Sequence, residues 1–175
     1  LIEHITNLFV LTGVDKTMAT QQAAAVLKLE TAIAASHLAP VELRDPIRNY
    51  NKMSVVDLQK ISPNINWSNS LQQMGIQTDS VNVAQPAYYK TLSALLASQP
   101  IDVWKSKVKF DYISSNASLL SKAFVEERFS FNKLFSGAKV QEDRWKKMVS
   151  RTDDGLKDLL GQIFVQKYFP AEAKK

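Results

Sequence analysis

The chain has 175 residues, no cysteine, two histidines and five scattered glycines, and each shortage closes off a chemistry. Without sulfur there can be no disulfide framework, zinc ribbon, iron–sulfur cluster or thiol nucleophile. Gly13, Gly75, Gly137, Gly155 and Gly161 are too far apart for a phosphate-cradling loop, and no Gly-x-Ser-x-Gly elbow occurs. His4 is followed by Ile5 and His37 by Leu38, so neither opens the His-Glu-x-x-His helix that sets two imidazoles on one face for zinc. No stretch reaches the roughly 18 apolar residues of a membrane-spanning helix, because Lys, Asp, Ser or Gln interrupts every such run. The chain starts at Leu1 without an initiator Met or a basic-then-apolar leader, so we expect a fragment whose preceding segment has been removed.

What is present is an ordinary globular composition, 45% apolar and 22% charged. A chain of this size buries roughly 70% of the surface its unfolded form exposes and needs no staple. The net charge of +5 is local: quarters 1–50, 51–100, 101–150 and 151–175 carry −1, +1, +4 and +1. In the basic stretch, Lys105, Lys107 and Lys109 alternate near Asp102 and Asp111, and Arg144, Lys146 and Lys147 follow Glu142 and Asp143. With acids dispersed among the bases and no aromatic-basic repeat, no nucleic-acid partner is expected.

Apolar spacing is helical almost throughout, which predicts an all-α fold: a multi-helix domain with long helices and at most one short extended segment. Ile2, Ile5 and Leu8 or Phe9 share a face that stops near Gly13. Asp15 to Thr20 offer caps for an Ala-rich helix carrying Ala23, Val26, Leu29 or Glu30 and Ile33, with His37 placed to cap its C-terminus. Pro40 and Pro46 bracket an extended connection. Ser54 with Asp57 resembles a capping box for a helix carrying Val55, Leu58 and Ile61. Trp67, Leu71 and Met74 form another helix closed by Gly75, and residues 76–83 are the strand candidate. Pro86 suits the first turn of a helix carrying Tyr88 or Tyr89, Leu92, Leu95 and Leu96, after which Ser98 is expected to cap the next. From Pro100 one stripe (Ile101, Trp104, Val108, Tyr112) leads into a second (Ile113, Ala117, Leu120, Phe124). Continuous to Val125, this helix would span on the order of 36 Å. Phe129, Phe131, Leu134 and Phe135 read as core, and Trp145 to Tyr168 as a long helix in which Gly155 and Gly161 imply close approach of another backbone or a break near Asp153 and Asp154.

The sequence singles out no catalytic, cofactor-binding or metal-binding residue. The adjacent carboxylates Glu126-Glu127, Glu142-Asp143 and Asp153-Asp154 point about 100° apart on a helix and read as solvated faces or helix-start charges. Asn66-Trp67-Ser68 and Asn116-Ala117-Ser118 match the glycosylation pattern, which by itself says little.

The order of several blocks carries more information than any one of them. Arg44-Asp45-Pro46 followed by Tyr50-Asn51-Lys52-Met53-Ser54 and Leu58 resembles the "dP…YNKMT…L" signature of neprilysin-like and endothelin-converting-enzyme-like zinc metallopeptidases. In the same order come the segment 64–71 around Trp67, Val81-Asn82-Val83 with Pro86-Ala87-Tyr88-Tyr89, and the segment 124–137. Arg144-Trp145-Lys146-Lys147 follows, then Leu160-Gly161-Gln162-Ile163-Phe164-Val165 with Tyr168-Phe169 and Ala173-Lys174, each similar to a block of that family.

The resemblance implies a role. It makes residues 1–175 a single helical domain, a fragment of the N-terminal lid domain of a larger metalloendopeptidase. The lid would wall a substrate chamber, admit peptides and exclude folded proteins. Its partner would be the catalytic zinc domain of the same polypeptide, with peptide substrates in the cavity between them. Zinc and the catalytic groups would lie outside this segment, and so would the family's substrate-carboxylate-binding arginine, so no functional residue transfers to a matching position here. Met148 stands where many animal members have Cys, which with the lack of cysteine implies a bacterial-type member. Location outside the cytoplasm, periplasmic, secreted or membrane-anchored, is implied by the family alone. The alternative from another class is a stand-alone helical interaction module whose apolar groove binds an amphipathic peptide.

Overall fold

In the computed structural model, which describes residues 1–170 and 172, the earliest apolar face is also the most deeply buried. Helix α1 (Ile2–Leu11) places Ile5, Leu8 and Phe9 at full burial, and Gly13 just past its end takes φ +87°, a left-handed conformation open to glycine. Asp15 caps α2 (Lys16–Ala34), its carboxylate accepting from the backbone N–H groups of Thr17 and Met18. Ala19, Ala23 and Val26 of α2 meet α1, and their short side chains let the two backbones approach closely. Each fully buried large apolar side chain in this packing contributes about 1.5–3 kcal/mol relative to exposure.

The chain then runs through a 3₁₀ turn at Glu42–Arg44, where the Glu42 carboxylate accepts from Ala39 N–H at 2.8 Å and pairs with Arg48 at 2.6 Å. The expected extended connection is thus reduced to Asp45, whose ψ of 104° is what the following proline requires. Strand β1 (Lys52–Ser54) leads into α3 (Val55–Ile61), capped by Ser54, and α4 (Trp67–Gln73) is capped by Asn66 and closed at Gly75 with φ +73°. The strand candidate of residues 76–83 narrows to β2 (Ser80–Asn82), which pairs antiparallel with β1 in the register Met53 to Val81. The all-α expectation is borne out, and the extended segment finds its partner in the residues just before α3. Helix α5 (Pro86–Ser98) begins with Pro86 in its first turn as expected.

Two helix boundaries are corrected. Ser98 ends α5 instead of capping α6 (Ile101–Asn116), whose N-cap is Pro100 without a side-chain bond. The long helix does not continue to Val125: α6 stops at Asn116, a 3₁₀ turn covers Ala117–Leu119, and α7 (Lys122–Ser136) starts anew. The cause is the Ser114-Ser115-Asn116 run, where Ser115 Oγ and Asn116 Nδ2 donate to the carbonyls of Asp111 and Tyr112 and compete for the helix's own acceptors. The stripe Ile101, Val108 and Tyr112 is exposed at 65%, 63% and 72%, whereas Ile113 is buried with α1 and α2 and Ala117 is buried as well.

Two compact units divide the chain, residues 1–131 and 132–175, the division falling inside α7. The second contains α8 (Arg144–Tyr168), bent at Leu156 (φ −124°, ψ 15°) directly after Gly155. The expected break near Asp153 and Asp154 is therefore present, whereas the close backbone approach is not, since nothing lies within 4 Å of a Cβ built at Gly155 or Gly161. Leu134 and Phe135 are also exposed rather than core, at 71% and 77%. Ala173 and Lys174, part of the last resemblance block, lie outside the described residues.

One ion pair ties α2 to α6. Lys107 Nζ, on a side chain only 18% exposed, sits 2.7 Å from Glu30 and 2.8 Å from Asp111. Burial alone would lower its pKa, but hydrogen bonds and charge attraction from Asp111 and Glu30 outweigh it and hold the ammonium above its ordinary value. A raised folded value means the pair's stabilisation is complete below the unfolded lysine range and is lost as pH rises through the raised value. Lys107→Gln is expected to lower the thermal midpoint at pH 7, with the gap to the parent closing as pH rises through the raised lysine value. Phe9→Ala is expected to cost about 3–5 kcal/mol in denaturant unfolding, the range for a fully buried aromatic side chain.

Candidate functional site

Two places in residues 1–131 concentrate polar and aromatic chemistry. The first is a cleft of about 470 Å³ bounded by the residues after α2, by α3 and α4, and by the segment from β2 into α5. Its wall is a chain of rings. His37 packs on Tyr88 with centroids 4.6 Å apart, Tyr88 meets Tyr89 edge-to-face at 5.1 Å, and Tyr89 meets Trp67 edge-to-face at 5.1 Å. Local sequence explains the placement. Trp67 opens α4 behind its Asn66 cap, and Tyr88 and Tyr89 fall in the first turn of α5 because Pro86 starts that helix.

Buried serines hold the cleft's framework. Ser62 Oγ donates to Leu58 O at 2.8 Å and accepts from Trp67 Nε1 at 2.7 Å, fixing the indole. Asn64 donates through its backbone to Ser93 Oγ at 3.0 Å and through Nδ2 to Ser93 O at 2.9 Å, which joins the α3–α4 link to α5. Leu38 N–H donates to Gln85 Oε1 at 2.9 Å, fastening the segment after α2 to the cleft's rim. His37 therefore lies against Tyr88 three residues beyond the end of α2, where the sequence places a capping histidine. The cleft can hold an apolar or aromatic group against rings, but it brings together no acid–base pair.

The second place is a partly buried histidine–carboxylate contact. His4, 6% exposed, sets Nδ1 2.9 Å from Glu127 Oε1, while Asn7 Nδ2 donates to Glu127 Oε2 at 3.0 Å. The imidazole stacks on Phe131 at 4.2 Å and meets Phe110 edge-on at 6.4 Å. Sequence reasoning treats Glu127 as a solvated neighbour of Glu126. The structure separates them: Glu126 forms an exposed pair with Lys122 at 3.5 Å, and Glu127 turns inward. The 123-residue separation leaves no local signal of this pairing; the one hint is that His4 adjoins the apolar face of α1.

The remaining residues singled out earlier are spread over surfaces. Asp143 sits at the N-cap of α8 and 3.9 Å from Lys146. Asn66 accepts from Asn69 N–H, and Asn116 Nδ2 donates to Tyr112 O. Among the described residues, no three His, Asp or Glu side chains converge to hold a metal.

Comparison with known proteins follows the same outline. Residues 1–175 match the profile described as Peptidase family M13. Mouse neprilysin is 25% identical over 174 residues, covering 92% of this chain and 23% of that protein. Rat endothelin-converting enzyme 1 is 26% identical over 169 residues, 93% of this chain and 22% of that protein. Among solved structures, the Mycobacterium tuberculosis zinc metalloprotease Zmp1 in its open state superimposes with a TM-score of 0.89 at 30% identity, covering 98% of this chain and 27% of that one. Its inhibitor complex also gives 0.89 at 29% identity, over 96% and 26%. The chain thus spans about a quarter of the length of the proteins it matches.

The pair yields a contrast. Glu127→Ala strips His4 and Asn7 of their shared partner and is expected to cost about 1–3 kcal/mol, whereas Glu126→Ala should stay within about 0.5 kcal/mol, both read from urea unfolding.

Proposed function

We propose that this chain, which belongs to peptidase family M13, is the non-catalytic helical part of a zinc metalloendopeptidase. In this reading, residues 1–175 form one helical domain, part of the N-terminal lid. They wall a chamber in which peptides are cut and restrict which substrates enter by size. The observation that carries the reading is the match over residues 1–175 to the family, joined to a TM-score of 0.89 with a chain named as a zinc metalloprotease.

The chemistry on the page supports this division of labour. The His4–Glu127 pair is taken up in holding α1 to α7, the open aromatic cleft sets its His37 against Tyr88 with no carboxylate in its lining, and among the described residues no three His, Asp or Glu side chains converge to hold a metal. What the chain supplies is stiffness: capped helices, a buried α1–α2–α6 core and polar links between elements. The partner is the zinc-bearing remainder of the same polypeptide, and the substrates are peptides held between the two parts. No helix among the described residues is long and apolar enough to cross a membrane. A location outside the cytoplasm is proposed by the family resemblance.

The reading is tested by assaying a mixed fluorogenic peptide library with two proteins. Residues 1–175 alone are expected to show no hydrolysis with or without added zinc, while the longer polypeptide carrying them hydrolyses peptides and loses activity to a chelator. Hydrolysis by residues 1–175 alone, or a longer polypeptide inert toward peptides, contradicts it.

A further inference from the structure

The lining of the aromatic cleft restricts what can enter it. Among the described residues no Asp, Glu, Lys or Arg lines it, so a phosphate or carboxylate would give up its water without gaining a counter-charge. Two amide side chains in the lining are committed on one side only. Gln85 Oε1 accepts from Leu38 N–H at 2.9 Å, and Asn82 Oδ1 accepts from Asn51 N–H at 2.7 Å. A backbone N–H can only donate, so each amide must turn its oxygen to it and is left with an NH₂ group to offer. Tyr88 and Tyr89 add two phenolic O–H donors. The cleft is thus walled by rings and supplied with donors. An ammonium, which ring faces alone would attract, meets the positive ends of those N–H groups. An aromatic group whose neighbouring atoms are carbonyl acceptors suits both the rings and the donors.

We propose that this cleft is a recognition site for an aromatic side chain (Phe, Tyr or Trp) of a peptide, whose flanking backbone carbonyls accept from Gln85 Nε2 and Asn82 Nδ2. The proposal rests on the family reading above and names the substrate feature that this chain holds. A volume of about 470 Å³ lies in the range of small-ligand sites, with room for one aromatic residue and its adjoining peptide groups and too little for a folded partner. The walls are fixed before anything binds. Ser62 Oγ holds the Trp67 indole at 2.7 Å, Tyr89 packs edge-to-face on that indole at 5.1 Å, and the pairing of Lys52 with Asn82 sets the end of β2. Fixed rings have little freedom left to lose when a further ring packs among them, which is how a short peptide gains affinity from a single side chain.

The test uses the longer polypeptide that carries residues 1–175, treated with a chelator so that peptides stay intact. The probes are a short fluorescein-labelled peptide with one central Phe, its Phe→Ala twin, and a third version with a benzophenone-bearing phenylalanine at that position. On irradiation, cross-links from the third are expected at Trp67 or within residues 81–89, mapped by mass spectrometry, and the unlabelled Phe peptide suppresses them at least about fivefold more effectively than the Ala peptide. Tyr88→Ala is expected to reduce the preference for Phe over Ala, measured as a ratio of Kd values, at least about fivefold. His37→Ala, which removes the rim ring packed on Tyr88, lowers it in the same direction and serves if Tyr88→Ala misfolds. Tyr112→Ala, an exposed ring on α6 outside the cleft, leaves it unchanged. Cross-links confined to positions outside the cleft overturn the proposal, and so does a preference unaltered in both cleft variants. Neither readout involves hydrolysis. A cleft that holds the Phe peptide in a polypeptide inert toward peptides refutes the peptidase reading alone, and an active peptidase without cleft cross-links refutes this inference alone.

Discussion

The close packing of α1 on α2 is the constraint on which the rest of residues 1–131 depends. Ile5, Leu8 and Phe9 can be wholly buried only because Ala19 and Ala23 present almost no side chain in return, and a larger residue at either position would push the two backbones apart. Against this pair, α6 adds Ile113, and Phe110 and Phe124 close the margin. The polar links are placed by that packing. Lys107 reaches Glu30, and His4 reaches Glu127, because the apolar core has already fixed which helix turns face each other. Desolvating such pairs is costly, so they specify the arrangement more than they drive it.

From this core the fold extends through specific short-range devices. The segment after α2 is fastened by Leu38 to Gln85, the α3–α4 link by Asn64 to Ser93, and the indole of Trp67 by Ser62. Their joint effect is the aromatic cleft, whose rings come from three separate stretches of chain. A surface of this kind suits a wall that contacts peptides without transforming them, in keeping with the proposed role. The outward stripes of α6 and α8 fit the same picture, since a segment making up about a quarter of its matched relatives' length has reason to keep apolar faces for neighbours in the chain.

Helix boundaries were legible in the sequence wherever a local chemical rule operates. Asp15 and Ser54 act as caps, Pro86 opens its helix, and Gly13 and Gly75 end theirs, because capping and left-handed φ depend on a few neighbouring atoms. The misjudged boundary at Asn116 is instructive for the same reason. The apolar spacing from Ile113 to Phe124 continues unbroken, but side-chain competition at Ser115 and Asn116 ends the helix that periodicity alone would extend.

Sequence by itself determined the class of the fold, the order of its helices, the exclusions that follow from having no cysteine, and, through colinear blocks, the family. Only tertiary structure decided which apolar stripe of α6 turns inward, that Glu127 rather than Glu126 turns in to meet His4, and that residues 52–54 give the extended segment its partner. The division has one physical cause. Helical periodicity, caps and turns are written within about four residues, whereas the choice of a face, or of a partner 123 residues away, is settled by which surfaces the α1–α2 packing leaves available.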